Sequence, residues 1–186
     1  MENWQEILKQ KRPQTLVLWV NREDLARLGG FAAATNMPPQ IYLSASMLGD
    51  QARDASLAGK LLHPSRDNLR LIYPYDLPEQ SALHTQRIKR WLSARHIALT
   101  EERIQANTYF AAMVVGDSIS HLLGHYSRDY FIERVEHMVG RSLLTSVYPR
   151  LTLGPGQRFA SRGAYLLRYA SDPKKGMQPV TEWIVP

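Results

Sequence analysis

The chain is expected to fold as an α/β protein, a parallel sheet layered between helices. Thr15-Leu-Val-Leu-Trp-Val20 is an unbroken apolar, β-branched run, the pattern of a strand that parallel neighbours bury on both faces. A helical pattern follows to Thr35, and Asn36-Met-Pro-Pro39 breaks it. Gln40-Ile-Tyr-Leu-Ser-Ala-Ser46 then resumes as a second strand, and strand, helix, strand in that order makes a right-handed βαβ crossover.

Each element has its own local reason. The stretch up to Gln10 reads as a short helix stopped before Pro13. Asn21 caps the helix after the first strand, with Asp24 in its first turn and Leu25, Leu28 and Ala32 along one face. Residues 47 to 59 read as a weaker helix, Lys60 to Pro64 as a short strand and Leu69-Arg-Leu-Ile-Tyr73 as a clearer one. Two prolines between Tyr73 and Pro78 mark a domain crossing. A helix then spans about Glu79 to His96, with Leu83, Ile88, Trp91 and Leu92 inward. The next runs from about Glu101 to Leu123, with Ile104, Tyr109, Met113, Gly116, Ile119 and Leu123 inward. Ser127 caps a third, reaching about Gly140. Ser146 to Leu153 and Ala164 to Tyr169 read as extended pieces joined by a tight turn at Gly154-Pro-Gly156, and Trp183 and Ile184 dock the tail.

Bulk properties narrow the function. With 186 residues, 44% of them apolar and 22% charged, the chain is long enough for a globular core. It has no cysteine, which excludes a disulfide framework, a thiolate zinc site and a thiol nucleophile. No apolar run approaches the ~20 residues of a bilayer span. Met1 to Lys11 is polar and amphipathic, so no export signal is read there, and whether Met1 is a native start stays open. The net charge of +6 points first to an acidic partner, but the basic residues are spread through both halves. The tightest cluster, Arg87, Lys89 and Arg90, suits a solvated helix face. No nucleic-acid partner is therefore expected, although Tyr165 to Tyr169 interleaves aromatic and basic residues.

Catalytic signatures are sparse. Asp117, His121 and His125 stand four apart on one helix face, a spacing that with further ligands holds zinc. A polar helix surface explains the same residues, no Glu adjoins the first His, and a metal-dependent α/β enzyme is kept only as an alternative. Gly154-Pro-Gly-Gln-Arg158 is a turn rather than a phosphate cradle, because Pro155 has no N–H to offer. Neither G-x-S-x-G, G-x-G-x-x-G nor a Walker A motif occurs, and no enzyme, metal or cofactor is expected.

Carboxyl ends of parallel strands are where open α/β sheets bind ligands. Asn21 and Arg22 follow the first strand, and Ser44 and Ser46 end the second. These are the candidate ligand-binding residues, with plain loop capping as the alternative.

The order of elements and the closing run Tyr148-Pro-Arg-Leu-Thr-Leu-Gly-Pro-Gly-Gln-Arg-Phe-Ala-Ser-Arg-Gly-Ala-Tyr165 resemble the C-terminal part of the type I periplasmic binding proteins, the branched-chain amino acid branch of ABC importers. Asn107-Thr-Tyr-Phe-Ala-Ala112, leading into a long helix, resembles a first-lobe segment of the same family. The resemblance implies a partial, Rossmann-like, three-layer fold. Residues 1–72 would be part of the C-terminal lobe, 76–147 part of the N-terminal lobe, and 148–186 a hinge return and the end of the C-terminal lobe. Tyr73, Pro74, Tyr148 and Pro149 would lie at the hinge crossings.

It further implies a non-enzymatic module that captures a small polar solute, with a membrane permease as partner and a periplasmic location. A sensory ectodomain is equally compatible. Where the family commonly carries an acid for the ligand ammonium, this chain reads Ser44-Ala-Ser-Met47, so Arg22 suits a carboxylate better than an amino acid. The family's first lobe begins well before anything in this sequence. The chain alone is accordingly expected to pair as a homodimer and not to capture solute by itself.

Overall fold

The structure, a computed structural model, describes residues 4–21, 23–25, 37–49, 65–122, 124, 126–139, 147–154, 156–170 and 176–186. It divides into two compact units, residues 1–74 with 163–185, and residues 75–162.

The first unit holds a sheet of five strands among the described residues, in the order β1 (Thr15–Leu18), β2 (Gln40–Ser44), β3 (Leu69–Tyr73), β4 (Tyr165–Tyr169), β5 (Met177–Pro179). The first three run parallel, with Leu18 beside Leu43 and Leu43 beside Leu71, whereas β4 and β5 are antiparallel to their neighbours. The expected pairing of the first two strands is therefore found. Alternate residues of the central strands make the core: Ile41, Leu43, Leu69, Leu71, Tyr73, Leu167 and Tyr169 are all buried. Each large apolar side chain so removed from water contributes about 1.5–3 kcal/mol. Leu8 of helix α1 (Trp4–Lys11) joins them, as do Ala45 and Leu48 of the short helix α2 (Ala45–Leu48).

The first strand differs from its expected form. It stops at Leu18 and forms one border of the described sheet, with Val17 61% and Trp19 66% exposed. Trp19 is thus a surface residue beyond the strand end, not a core residue, and only Leu18 of this strand is buried. An apolar run reports that a strand forms but not its place in the sheet. The expected strand at Lys60 to Pro64 lies outside the described residues, as does most of the helix expected over 47 to 59.

At the other end of the sheet the tail docks as expected. Trp183 is buried, its ring meets Tyr165 edge-on at 5.0 Å, and Ala164 and Ile184 exchange backbone hydrogen bonds of 3.0 Å.

The second unit is built from α3 (Pro78–Ala94), α4 (Glu102–Ser120) and α5 (Arg128–Val139), followed by a loop from Val147. Pro78 starts α3, where its missing N–H costs nothing, and Ser81, Thr85, Ile88 and Leu92 form its buried stripe. Trp91 meets Tyr109 at 5.2 Å, and Lys89 Nζ lies 3.0 Å from Glu102 Oε2, so α3 and α4 are joined by both a ring contact and an ion pair. Ser127 caps α5 as expected, its Oγ accepting from Tyr130 N at 3.4 Å.

The inward face of α4 needs correction. Ala106, Val114 and Ser118 are buried, while Ile104 and Ile119 are 61% and 55% exposed and Gly116 is exposed. Small residues let helices approach closely: the Ser118 hydroxyl donates to Val114 O at 2.7 Å and lies 3.5 Å from Met138 Sδ of α5. A hydrophobicity pattern cannot see such a face, since small and hydroxylated side chains weigh little in it.

The loop holds a second departure. Residues 147–154 form no strand, although Thr152 N donates to Ala160 O at 2.9 Å and Gln157 N to Gly154 O at 3.0 Å. Gly156, at φ 77°, supplies the left-handed residue that the expected turn requires. Pro149 cannot donate to a ladder, and β4 pairs with β3 and β5 instead.

Candidate functional site

Parallel pairing of β1, β2 and β3 brings their carboxyl ends to one edge of the first unit. Ser44 closes β2, is buried, and begins α2 without capping it through its side chain. Its hydroxyl instead meets the Ser46 hydroxyl at 2.8 Å, and Ser46 is exposed. The two residues are therefore brought together as one group with a buried and a solvated member. Each hydroxyl donates one hydrogen bond and accepts others, so one member of the pair keeps a donor not used within it.

Asn21 follows β1 at the same edge. Its Oδ1 accepts from Asp24 N at 2.9 Å, and its backbone carbonyl accepts from Leu25 N at 2.9 Å, which makes it the helix cap that the sequence predicts. The cap leaves the Asn21 amide nitrogen as a further donor. Arg22 lies outside the described residues. Chemically, hydroxyls and an amide N–H₂ suit an oxygen-rich acceptor such as a carboxylate or amide carbonyl.

Of the four residues expected at crossings, Tyr73 and Pro74 stand where the chain leaves the first unit, whereas Tyr148 and Pro149 lie inside the second, which the chain leaves after residue 162. Tyr73 ends β3, fully buried and beside Tyr165, and Pro74 is the last residue of the first unit before residue 75. Tyr148 and Pro149 lie in the second unit, half-buried.

The histidine face shows different chemistry from metal ligation. His121 Nδ1 lies 2.8 Å from Asp117 O of its own helix, and Nε2 lies 3.0 Å from an Arg134 guanidinium nitrogen. The tautomer that satisfies both has the proton on Nδ1 and a lone pair on Nε2 accepting from Arg134. Both ring nitrogens are committed. Among the described residues no group of three or more His, Cys, Asp or Glu is placed to hold a metal, and His125 lies outside them.

One feature was not legible in the sequence. Within the second unit, Asn107 and Phe110 of α4 and Tyr148, Leu151, Phe159 and Ser161 of the following loop line a pocket of about 380 Å³. Tyr148 packs on Tyr75 at 5.3 Å, and Tyr75 is fixed in turn by Arg103, whose guanidinium lies over its ring and donates to its hydroxyl at 2.6 Å. Only the chain fold brings α4 and this loop together, so no local motif announces the pocket.

No family model and no curated protein matches the chain. Solved structures do. An ABC transporter substrate-binding protein from Aeropyrum pernix superposes with a TM-score of 0.63 at 12% identity, over 98% of this chain and 48% of that one. A structure described as a branched-chain amino acid ABC transporter from Rhodospirillum rubrum gives 0.61 at 13% identity, over 100% and 49%. A fatty acid ABC transporter substrate-binding protein from Thermomonospora curvata gives 0.59 at 15% identity, over 98% and 46%. The chain spans about half the length of the structures it resembles. Its mixed sheet, its helices and its full coverage by these neighbours together establish a partial type I periplasmic binding protein fold, the fold of ABC transporter substrate-binding proteins.

Proposed function

We propose that this chain is a solute-binding module of an ABC-type importer, non-catalytic, with its ligand contacts at the carboxyl edge of the first unit. The observation that carries this reading is the Ser44–Ser46 hydroxyl pair, 2.8 Å apart at the end of β2, in a fold whose solved neighbours are substrate-binding proteins. Under it, the first unit is part of the C-terminal lobe and the second part of the N-terminal lobe. Tyr73 and Pro74 serve the crossing from the first to the second. A permease is the partner and the periplasm the location, by the same likeness, which gives no support for a homodimer.

The solute is a small polar molecule with a carboxylate or amide oxygen. The Ser44–Ser46 pair donates to it through whichever hydroxyl does not donate within the pair, the Asn21 amide donates as well, and Arg22, next in sequence to Asn21, supplies the countercharge. No acid stands in Ser44-Ala-Ser-Met47 to hold an ammonium, so carboxylates are favoured over amino acids.

The test is a nuclear magnetic resonance titration with a panel of amino acids, amides and short carboxylates, a method that registers even millimolar binding. Capture between two lobes is not expected of this chain alone, but weak contact at the edge is: carboxylates are expected to shift the amide signals of Ser44 to Met47, and Ser44→Ala with Ser46→Ala is expected to abolish the shifts. Silence at these amides across the panel would overturn the reading.

A further inference from the structure

We propose that the pocket of the second unit is a separate binding site for a small carboxylate with an aromatic or branched apolar body. Its volume of about 380 Å³ falls within the range of small-ligand sites, ~300–1,000 Å³. Its walls are of the right kind for an apolar body. Phe110, Tyr148, Leu151 and Phe159 supply rings and a branched chain, and Phe159 is 64% exposed although it is a large apolar residue. An exposed ring at the mouth of a pocket gains from a ligand that covers it.

Two polar groups stand among these walls. The Asn107 amide and the Ser161 hydroxyl, both half-buried, have no hydrogen-bond partner among the described residues. They can orient a ligand without first breaking a bond within the protein.

The charge of the ligand follows from the loop. Residues 147–162 carry Arg150, Arg158 and Arg162 and no acidic residue. Each arginine is adjacent in sequence to a residue of the lining: Arg150 to Leu151, Arg158 to Phe159, Arg162 to Ser161. All three are exposed, and none is paired with a carboxylate among the described residues. Arg150 sits at φ 50°, a left-handed conformation that a non-glycine residue adopts only when its surroundings impose it. A loop with three cations and no acid gives the pocket it borders a positive field, which favours an anion over an amine.

The wall itself is preorganised. Arg103 fixes the Tyr75 hydroxyl and ring, and Tyr75 supports Tyr148, so one side of the pocket is set before a ligand arrives. The site lies wholly within the second unit and uses none of the carboxyl-edge residues, so it stands or falls independently of the proposed solute site.

The probe is 3-phenylpropionate, compared with its uncharged amide and with acetate, titrated into the full chain and followed by amide shifts. Binding is expected to shift Asn107, Phe110, Phe159 and Ser161, with the carboxylate at least about tenfold tighter than the amide and acetate weaker still. Replacing the exposed pair, Arg158→Gln with Arg162→Gln, is expected to weaken 3-phenylpropionate about tenfold while leaving the amide unaffected. Ala160 also lines the pocket, so filling it by Ala160→Leu is expected to abolish both, and the exposed arginine pair keeps the test open should that variant not fold. Ser44→Ala with Ser46→Ala should change nothing here. No shift in the pocket residues, or equal affinity for acid and amide, or loss of binding with the serine variant alone, overturns the proposal.

Discussion

Gly163 and Trp183 touch so closely that a methyl group on Gly163 would stand 2.5 Å from the Trp183 Nε1 and 2.6 Å from Cε2, nearer still to the Ile184 carbonyl. The contact fastens the tail of the chain to the start of β4. Gly163→Ala is therefore expected to destabilise the protein by about 1–3 kcal/mol, as overpacking does. Urea unfolding measures it, and a change below about 0.5 kcal/mol, the usual scale of surface substitutions, would show that the tail moves aside freely.

The exposure of Trp19 leads to a contrast within one segment. Trp19→Ala, at the surface, should change stability by less than about 1 kcal/mol, whereas Leu18→Ala, buried one residue earlier, should cost about 2–5 kcal/mol. Equal losses would place Trp19 inside after all.

Asn21 separates capping from ligand contact. Asn21→Ala removes the acceptor for Asp24 N and should cost about 0.5–2 kcal/mol, while Asn21→Asp keeps the acceptor and should be nearly neutral. Because Asn21→Asp also places a negative charge at the edge, it should weaken carboxylate binding at unchanged stability. Thermal unfolding and a carboxylate titration on the same two variants decide the matter.

For the histidine face, a chelator is expected to leave the thermal midpoint unchanged, since both nitrogens of His121 are already hydrogen-bonded. Added zinc that raised the midpoint by more than a few degrees, with the gain lost in His121→Ala, would reinstate a metal site there.

How far the sequence speaks is clear from particular residues. Thr15 to Leu18, Gln40 to Ser44 and Leu69 to Tyr73 are strands because short β-rich runs between breakers have few alternatives, and two of the helices carry readable starts at Asn21 and Ser127. What pattern cannot supply is the neighbour. Trp19 looked interior because its run is apolar, but its strand borders the described sheet. Ser118 and Ala106 are absent from the inward face that the apolar pattern gives α4, yet they are buried. At the candidate site, the two serines were legible from their position after a strand, whereas their mutual hydrogen bond was not. The aromatic pocket was invisible because its walls come from α4 and from a loop some forty residues later, joined only by the fold.

The order of the sheet also sets an order of assembly. Strands β1 to β3 follow one another along the chain, but β4 comes to rest beside β3 only after all of the second unit has been made, with Tyr73 pairing Tyr165 across that interval. Closing so long a segment is entropically slow, although the cost grows only logarithmically with its length. During synthesis, Leu71 and Tyr73 therefore wait for Leu167 and Tyr165 with one edge unpaired, and the second unit has time to form first. The nascent chain is thus most prone to wrong pairing in the interval before residue 163 emerges, a vulnerability located in time rather than on the finished surface.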